Sequence, residues 1–194
     1  AAQVCHSAMW LAKSLGLLDW QSDLERVALV IAAICHDVKH FGRNNTFCIS
    51  TYHPLALFYN DFRVLENMHA ATCFELMKGT GSGSPGSVSA NLSRSERAEL
   101  RSQIIENIFA TDMSEHFGIL SKFHVKQDSA DFTVASQEHR RLIARMCMKA
   151  GDIGHSALPW PAHEEWSLRI TQEFLEQGDE EAALGLPVSA LCDR

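Results

Sequence analysis

From Leu24 onward the apolar residues Leu24, Val27, Ala28, Val30, Ile31 and Ile34 return every three or four positions. That spacing lines one face of an α-helix and matches no face of a strand. The pattern, with Asp23, Glu25 and Arg26 near its start, predicts a helix that delivers its C-terminal end to His36-Asp37. The same period predicts a helix from about Asp61, read as its N-cap, to Lys78, with Val64, Leu65, Met68, Ala71, Cys73 and Leu76 facing inward. Ser93-Arg94-Ser95-Glu96 has the spacing of a capping box, and Leu100, Ile104, Ile105, Ile108 and Phe109 carry a helix behind it to Thr111-Asp112. Two more are expected over about 134–150 and 161–177, the last with Pro161 in its first turn. No segment alternates with period two for long enough to read as a strand, and there is no internal repeat. The expected fold is all-α.

With 194 residues, 46% of them hydrophobic, the chain has the material for one compact domain over 1–194. Within it Gly79–Ser89, GTGSGSPGSVS, has too little apolar surface to bury, so 79–93 is expected to be a mobile surface loop. The net charge is −7 and no Lys/Arg cluster occurs, which argues against a nucleic-acid partner. The longest apolar run, Val27 to Cys35, is too short for a membrane span, so no membrane contact is expected from this segment. Six scattered cysteines without a CxxC pair read as reduced thiols and point to a cytoplasmic location. Ala1-Ala2-Gln3 has neither an initiator Met nor a signal-peptide pattern and reads as an internal boundary. An anionic ligand would need a local positive source. Ten histidines beside 17 Lys and Arg suggest one, because ions held by imidazole and carboxylate concentrate charge.

The segment His36-Asp37-Val38-Lys39-His40-Phe41-Gly42-Arg43-Asn44-Asn45 admits two readings. On a continuing helix His36 and His40 would share a face, as in the HExxH zinc proteases. The second residue here is Asp rather than Glu, and Phe41-Gly42 suggests a helix end near His40. The alternative is a His-Asp metal pair at the end of a helix. A further acid, Asp152, ends an otherwise apolar helical stretch, where a carboxylate is costly unless paired, hydrogen-bonded or bound to a metal. Taken alone, Asp152 reads better as a cap on the turn at Gly154.

Together, His36-Asp37-x-x-His40-x-Gly42-x-x-Asn45, Tyr59-Asn60-Asp61 with Leu65-Glu66-Asn67 and His69, Ala110-Thr111-Asp112-Met113-Ser114, Gly151-Asp152-Ile153 and Phe174-x-x-Gln177-Gly178-Asp179 form an ordered series. The series resembles class I 3',5'-cyclic nucleotide phosphodiesterases, with similar gaps, across the whole chain. The resemblance implies a compact multi-helix catalytic domain of the HD type. It also implies hydrolysis of cyclic AMP, cyclic GMP or both to the 5'-nucleotide by a metal-bridged hydroxide. Two divalent ions are implied, Zn2+ in the tighter site and Mg2+ or Mn2+ in the second. In that family pattern His36, Asp37 and Asp152 match metal ligands, with Asp37 bridging the two ions. His40 matches a histidine near the bridging hydroxide, and Glu66, His69 and Thr111 match residues that hold metal-bound waters. Asn45, Asp112 and Met113 match positions by the nucleotide, and His155 stands where some relatives carry Asn beneath the base. Met113 and Trp166 fit core packing equally well, and Asp61 reads mainly as a helix cap.

The family's first metal ligand and its general-acid histidine belong to a motif HNxxHA that aligns just before Ala1, so both are expected outside this chain. His6 lies six helical positions beyond that ligand, about 240° around the axis, and would point elsewhere. Gln3 stands where the family usually has Asp, and Lys39 replaces a frequently acidic residue. The purine-binding Gln and aromatic clamp are expected beyond Arg194. The isolated chain is therefore expected to bind metal weakly and to turn over little. The implied partners are the cyclic nucleotide itself and regulatory domains outside the chain. A catalytically inactive HD-like domain that binds a nucleotide or a protein is the alternative.

Overall fold

The residues between Ser22 and Cys35 show how this chain commits to helix. Ser22 accepts from the Glu25 amide at 3.2 Å while the Glu25 carboxylate accepts from the Ser22 amide at 2.7 Å, satisfying two donors that a helix start leaves open. Ser93 and Glu96 repeat the device. A computed structural model describes residues 1–78 and 88–194. Its helices, in order, are α1 Ala2–Ser14, α2 Asp23–Cys35, α3 Asn45–Ser50, α4 Pro54–Phe58, α5 Val64–Lys78, α6 Arg94–Phe109, α7 His116–Gln127, α8 Gln137–Asp152 and α9 Trp160–Ala183. Single 3-10 turns cover Leu17–Asp19, Met113–Glu115 and Gly154–Ala157. Among the described residues there is no strand, so the all-α expectation holds. The loop expected over 79–93 lies outside the described residues from 79 to 87, and 88–92 form turns leading to the Ser93 cap.

The chain divides into two compact units, one of residues 1–38 and 69–154, the other of 39–68 and 155–194. In the first, α1 packs on α8 and on α2, burying Ala8, Ala12, Leu29, Ala33, Cys147 and Met148 together. On its other side α2 packs against α6, where Ala28, Ala32, Ala70, Cys73, Leu100, Ile104 and Ile108 form a second cluster. The single apolar stripe expected for α2 is thereby corrected. Val27 and Ile34 are exposed, whereas Leu29, Ala32 and Ala33 are buried. A helix covered on two sides by close neighbours uses small residues for both contacts, and alanines add little to a periodicity reading.

In the second unit Cys48, Ala56, Val64, Leu65 and Met68 form the core. Asp61 does not cap α5. Its φ of 60° is left-handed, and its amide donates to the Ala56 carbonyl at 2.9 Å, so it closes α4 and α5 begins three residues later. Within α5, Ala71 and Leu76 are exposed and Ala70 and Thr72 are buried instead. Val64, Leu65 and Met68 serve one unit's core and Ala70 and Cys73 the other's, so no single stripe runs its length. α9 continues six residues past the expected end at Gln177.

One buried ion pair fastens α2 to α8. Glu25, 2% exposed, accepts from Arg140 Nε at 3.1 and 3.3 Å, and Arg140 also donates to the carbonyls of Val134 and Ala135. Removing one member of such a pair leaves an uncompensated charge. Glu25→Ala is expected to lower the unfolding free energy by about 3 kcal/mol, and Glu25→Gln, which keeps a capping acceptor, by less. Urea titration of both variants checks this, and an E25A midpoint equal to that of the parent would contradict it.

Candidate metal centre

α2 ends at Cys35, and the chain turns through 36–39 to Lys39, whose φ is 63°. The helix therefore does not carry His36 and His40 on one face, and the HExxH reading fails. What the helix end does is bury His36, which is 1% exposed. Its Nδ1 lies 2.9 Å from the Ala33 carbonyl, an oxygen that can only accept, so Nδ1 carries a proton. Nε2 is thereby turned toward two carboxylates, Asp37 Oδ2 at 3.1 Å and Asp152 Oδ1 at 3.1 Å. Asp152 is the last residue of α8, and the preceding Gly151 lets α8 approach α1. A Cβ at 151 would stand 3.1 Å from the Val4 carbonyl oxygen and 3.2 Å from the Ala8 amide.

Burial is the largest single influence on the His36 imidazole, and it opposes the charged form. The hydrogen bonds to Asp152 and Asp37, with their negative charges, together outweigh it and raise the pKa to about 10. One ligating atom each from His36, Asp37 and Asp152 lie within 4.8 Å of one another. The donor set of one imidazole nitrogen and two carboxylates, with the far ring nitrogen fixed by a carbonyl, fits a divalent cation.

Around this triad, His69 on α5 holds the Val38 carbonyl through Nδ1 at 2.8 Å and brings Nε2 to 3.9 Å from Asp37 Oδ1. Thr111 is buried and donates its hydroxyl to the Ile108 carbonyl at 2.7 Å. Asp112, also buried, accepts from the Ser114 amide at 2.8 Å. Met113 is 56% exposed, so it is not core packing. All of these residues, with the triad, belong to the first unit. His6 lies on the exposed side of α1.

The remaining site residues belong to the second unit. His40 Nδ1 accepts from the Gly42 amide at 3.1 Å, which leaves the proton on Nε2. Asn45, the first residue of α3, is held by α5 through both ends of its amide: Oδ1 accepts from the Leu65 amide at 2.9 Å and Nδ2 donates to Glu66 at 2.9 Å. His155 pairs with His163, their Nδ1 atoms 3.3 Å apart and their rings 18° from parallel. Trp166 is partly exposed.

Two sets of buried polar residues have partners that the sequence reading does not assign. Lys149 is buried in α8, and its Nζ donates to the carbonyls of Ala110 and Asp112 at 3.1 and 3.2 Å. A lysine inside the apolar run Met146–Ala150 is the signal that marks it. Gln177 donates to Glu181 at 2.8 Å and accepts from the Asn44 amide at 2.9 Å, and Glu181 in turn accepts from Ser189. Their i, i+4 spacing on α9 was the available signal.

All 194 residues match the family model described as 3'5'-cyclic nucleotide phosphodiesterase. The chain is 38% identical over 198 residues to a dual 3',5'-cyclic-AMP and -GMP phosphodiesterase beta of Plasmodium falciparum (isolate 3D7), all of this chain and 17% of that protein. It is 36% identical over 194 residues to a dual specificity calcium/calmodulin-dependent 3',5'-cyclic nucleotide phosphodiesterase 1 of Drosophila melanogaster, again all of this chain and 22% of that protein. Over 172 residues, 88% of this chain and 15% of the relative, it is 41% identical to a cGMP-inhibited 3',5'-cyclic phosphodiesterase 3A of Rattus norvegicus. The chain thus spans under a quarter of the length of each of these relatives. A match along its entire length, with the His-Asp-Asp triad assembled at the ends of two helices, makes this chain a member of the 3',5'-cyclic nucleotide phosphodiesterase family.

Proposed function

We propose that the protein hydrolyses cyclic AMP, cyclic GMP or both to the 5'-nucleotide, and that His36, Asp37 and Asp152 hold a divalent cation, Zn2+ by donor chemistry, for that reaction. The observation that carries this reading is the convergence of these three side chains within 4.8 Å. On the family pattern Asp37, the more exposed of the two acids, would also share a second ion, Mg2+ or Mn2+. Bound there, such ions supply Lewis-acid charge at the phosphoryl oxygens and lower the pKa of a coordinated water. In the hydrolysis the P–O3' bond breaks, water adds to phosphorus and O3' leaves with a proton.

The chain's own residues fix the geometry for this. Ala33 orients the His36 ring, and His69 is held by the Val38 carbonyl beside Asp37. The roles at water and nucleotide that the family pattern gives His40, Asn45, Glu66, Thr111, Asp112, Met113 and His155 are part of the same proposal. Each is tested by single substitution in the full-length protein. Free thiols at all six cysteines suit a reducing, cytoplasmic setting. Among the described residues no helix is long and apolar enough to cross a membrane. The greater length of the relatives supports further, regulatory, segments. An inactive HD-like module has no observation in its favour, since each triad position carries a ligating group.

The test is hydrolysis of both cyclic nucleotides by the full-length protein before and after chelation, with metal content measured alongside. Loss on chelation and recovery with Zn2+ and Mg2+ are expected. Hydrolysis that survives complete metal removal would overturn the reading.

The raised pKa of His36 adds a pH dependence. The folded value of about 10 lies above the ordinary 6.5, so the imidazolium contributes stability to the metal-free chain that is fully present below 6.5 and is lost as pH rises through 10. A cation at the triad displaces that proton. Zn2+ uptake near pH 7.5 should release about one proton, and apparent affinity should climb roughly tenfold per pH unit across this window. Calorimetry in buffers of different ionisation heat reads the proton directly, and a release of zero would contradict the assignment.

A further inference from the structure

Lys149 is a cation buried where packing alone would favour an aliphatic side chain. It is 2% exposed, on α8, three residues before Asp152. Burying an ammonium is costly unless it is well bonded. Its Nζ donates to the Ala110 carbonyl at 3.1 Å and to the Asp112 carbonyl at 3.2 Å, and lies 3.9 Å from Met113 Sδ. These acceptors stand where α6 runs out. Ala110 is its C-cap residue, and the chain leaves it through Thr111 and Asp112 into the turn Met113–Glu115. Helix ends leave carbonyls without intrahelical donors and carry the negative end of the helix dipole. A positive charge from a second helix answers both needs.

Several bonds of this segment are short-range in sequence. The Ala110 amide donates to Glu106, the Thr111 amide and hydroxyl to Ile108, the Asp112 amide to Phe109, and the Asp112 side chain accepts from Ser114. They set its local shape. Lys149 supplies a tie to α8, the helix whose last residue is Asp152. Two of its bonds run to main-chain oxygens, so they hold the path of the backbone itself.

We propose that Lys149 is a positioning residue, which fastens the 110–113 segment to α8 and so sets Thr111 and Asp112 in register with Asp152. The relevance of that register to catalysis rests on the hydrolytic reading above, whereas the tie itself does not. Lys149→Met, which keeps the apolar stem and removes the donor, should leave α8 folded and free the segment.

The experiment is amide hydrogen exchange on this chain and its Lys149→Met variant, without metal or nucleotide, joined to kinetics of the same substitution in the full-length protein. Expected are a loss of protection of about tenfold or more at the amides of Thr111, Asp112 and Ser114, and little change at residues 143–148 of α8. Lys149→Arg should recover part of it. In the full-length protein kcat should fall at least tenfold with metal content retained. Unchanged exchange at 111–114, or an equal loss along α8, would overturn the proposal. Should the Met variant fail to fold, the parent chain still decides. A hydrogen-bonded Lys149 ammonium should give a slowly exchanging side-chain nitrogen resonance at neutral pH, and its absence would overturn the proposal as well. Normal exchange behaviour of the tie combined with no hydrolysis by the parent protein would count against the catalytic reading alone.

Discussion

Asp152→Asn is expected to lower cyclic nucleotide hydrolysis by the full-length protein by more than about 10²-fold and to strip the tightly held cation from it. Asparagine keeps the shape of the side chain and removes its charge, so the change isolates the carboxylate. Disturbing a group that merely orients a metal ligand costs 10- to 100-fold. Loss of a ligand itself should exceed that. The same substitution has a consequence that can be read without metal. Asp152 Oδ1, 3.1 Å from His36 Nε2, is one of two carboxylates that hold the imidazole pKa up to about 10 against burial. With it neutral, the His36 pKa should fall, and nitrogen chemical shifts followed across pH in the metal-free chain would show it. Asp37→Asn should lower activity comparably and should also lower the His36 pKa, since both carboxylates hold it up through a hydrogen bond and a negative charge. Wild-type metal content and turnover in D152N would remove the triad from the mechanism.

Much of this centre is written locally in the sequence. The apolar period of α2 predicts a helix that ends at His36-Asp37, and the chain ends it there. Asp152 at the end of an apolar stretch is a carboxylate in search of a partner, and its partner is His36. The order of the motifs, more than any one of them, connects residues 36 and 152. The role of Lys149 is not legible in the sequence, because it lies in two carbonyls about forty positions away and a carbonyl has no letter there. The same holds for His36, whose orientation depends on the main chain of Ala33.

The fold was legible where one face of a helix does the packing, as behind the Ser93–Glu96 capping box. It was not where alanines make the contact. Ala8, Ala12, Ala28, Ala32 and Ala33 are all fully buried, yet each contributes little to a hydrophobic period. Asp61 shows a second limit. Aspartate is as suited to the left-handed residue after one helix as to the cap before the next. With α4 and α5 so close in sequence, composition does not choose between them. The geometry does, through the Asp61 amide on Ala56.

Gly178→Ala should be among the most damaging single substitutions in the second unit, although helix propensity points the other way. In an exposed helix interior alanine is favoured over glycine by roughly 1 kcal/mol, and Gly178 lies inside the 24-residue α9. A Cβ at 178 would overlap the carbonyl oxygen of Cys192 and stand 2.8 Å from its carbonyl carbon. Both are backbone atoms, so no rotamer change relieves the contact. Nor can the segment step aside freely. Leu186 donates its amide to the Glu181 carbonyl at 2.9 Å, Ser189 donates its amide and hydroxyl to the Glu181 carboxylate at 2.6 Å each, and Arg194 pairs with Asp179 at 2.8 Å. Either α9 bends or residues 186–194 detach. A loss of about 3 kcal/mol, at the upper end for overpacking, corresponds to a fall in Tm of roughly 6–12 °C for a chain of this size. Detachment has its own signature, because a released segment is cut by a protease before the helices are. Gly178→Ala should therefore show both a lower Tm and early cleavage between 184 and 194, whereas Glu181→Gln, which weakens the latch without the clash, should show the cleavage with a smaller thermal shift. A G178A chain that melts at or above the parent temperature would mean that α9 and the 186–194 segment do not meet at Gly178 as described.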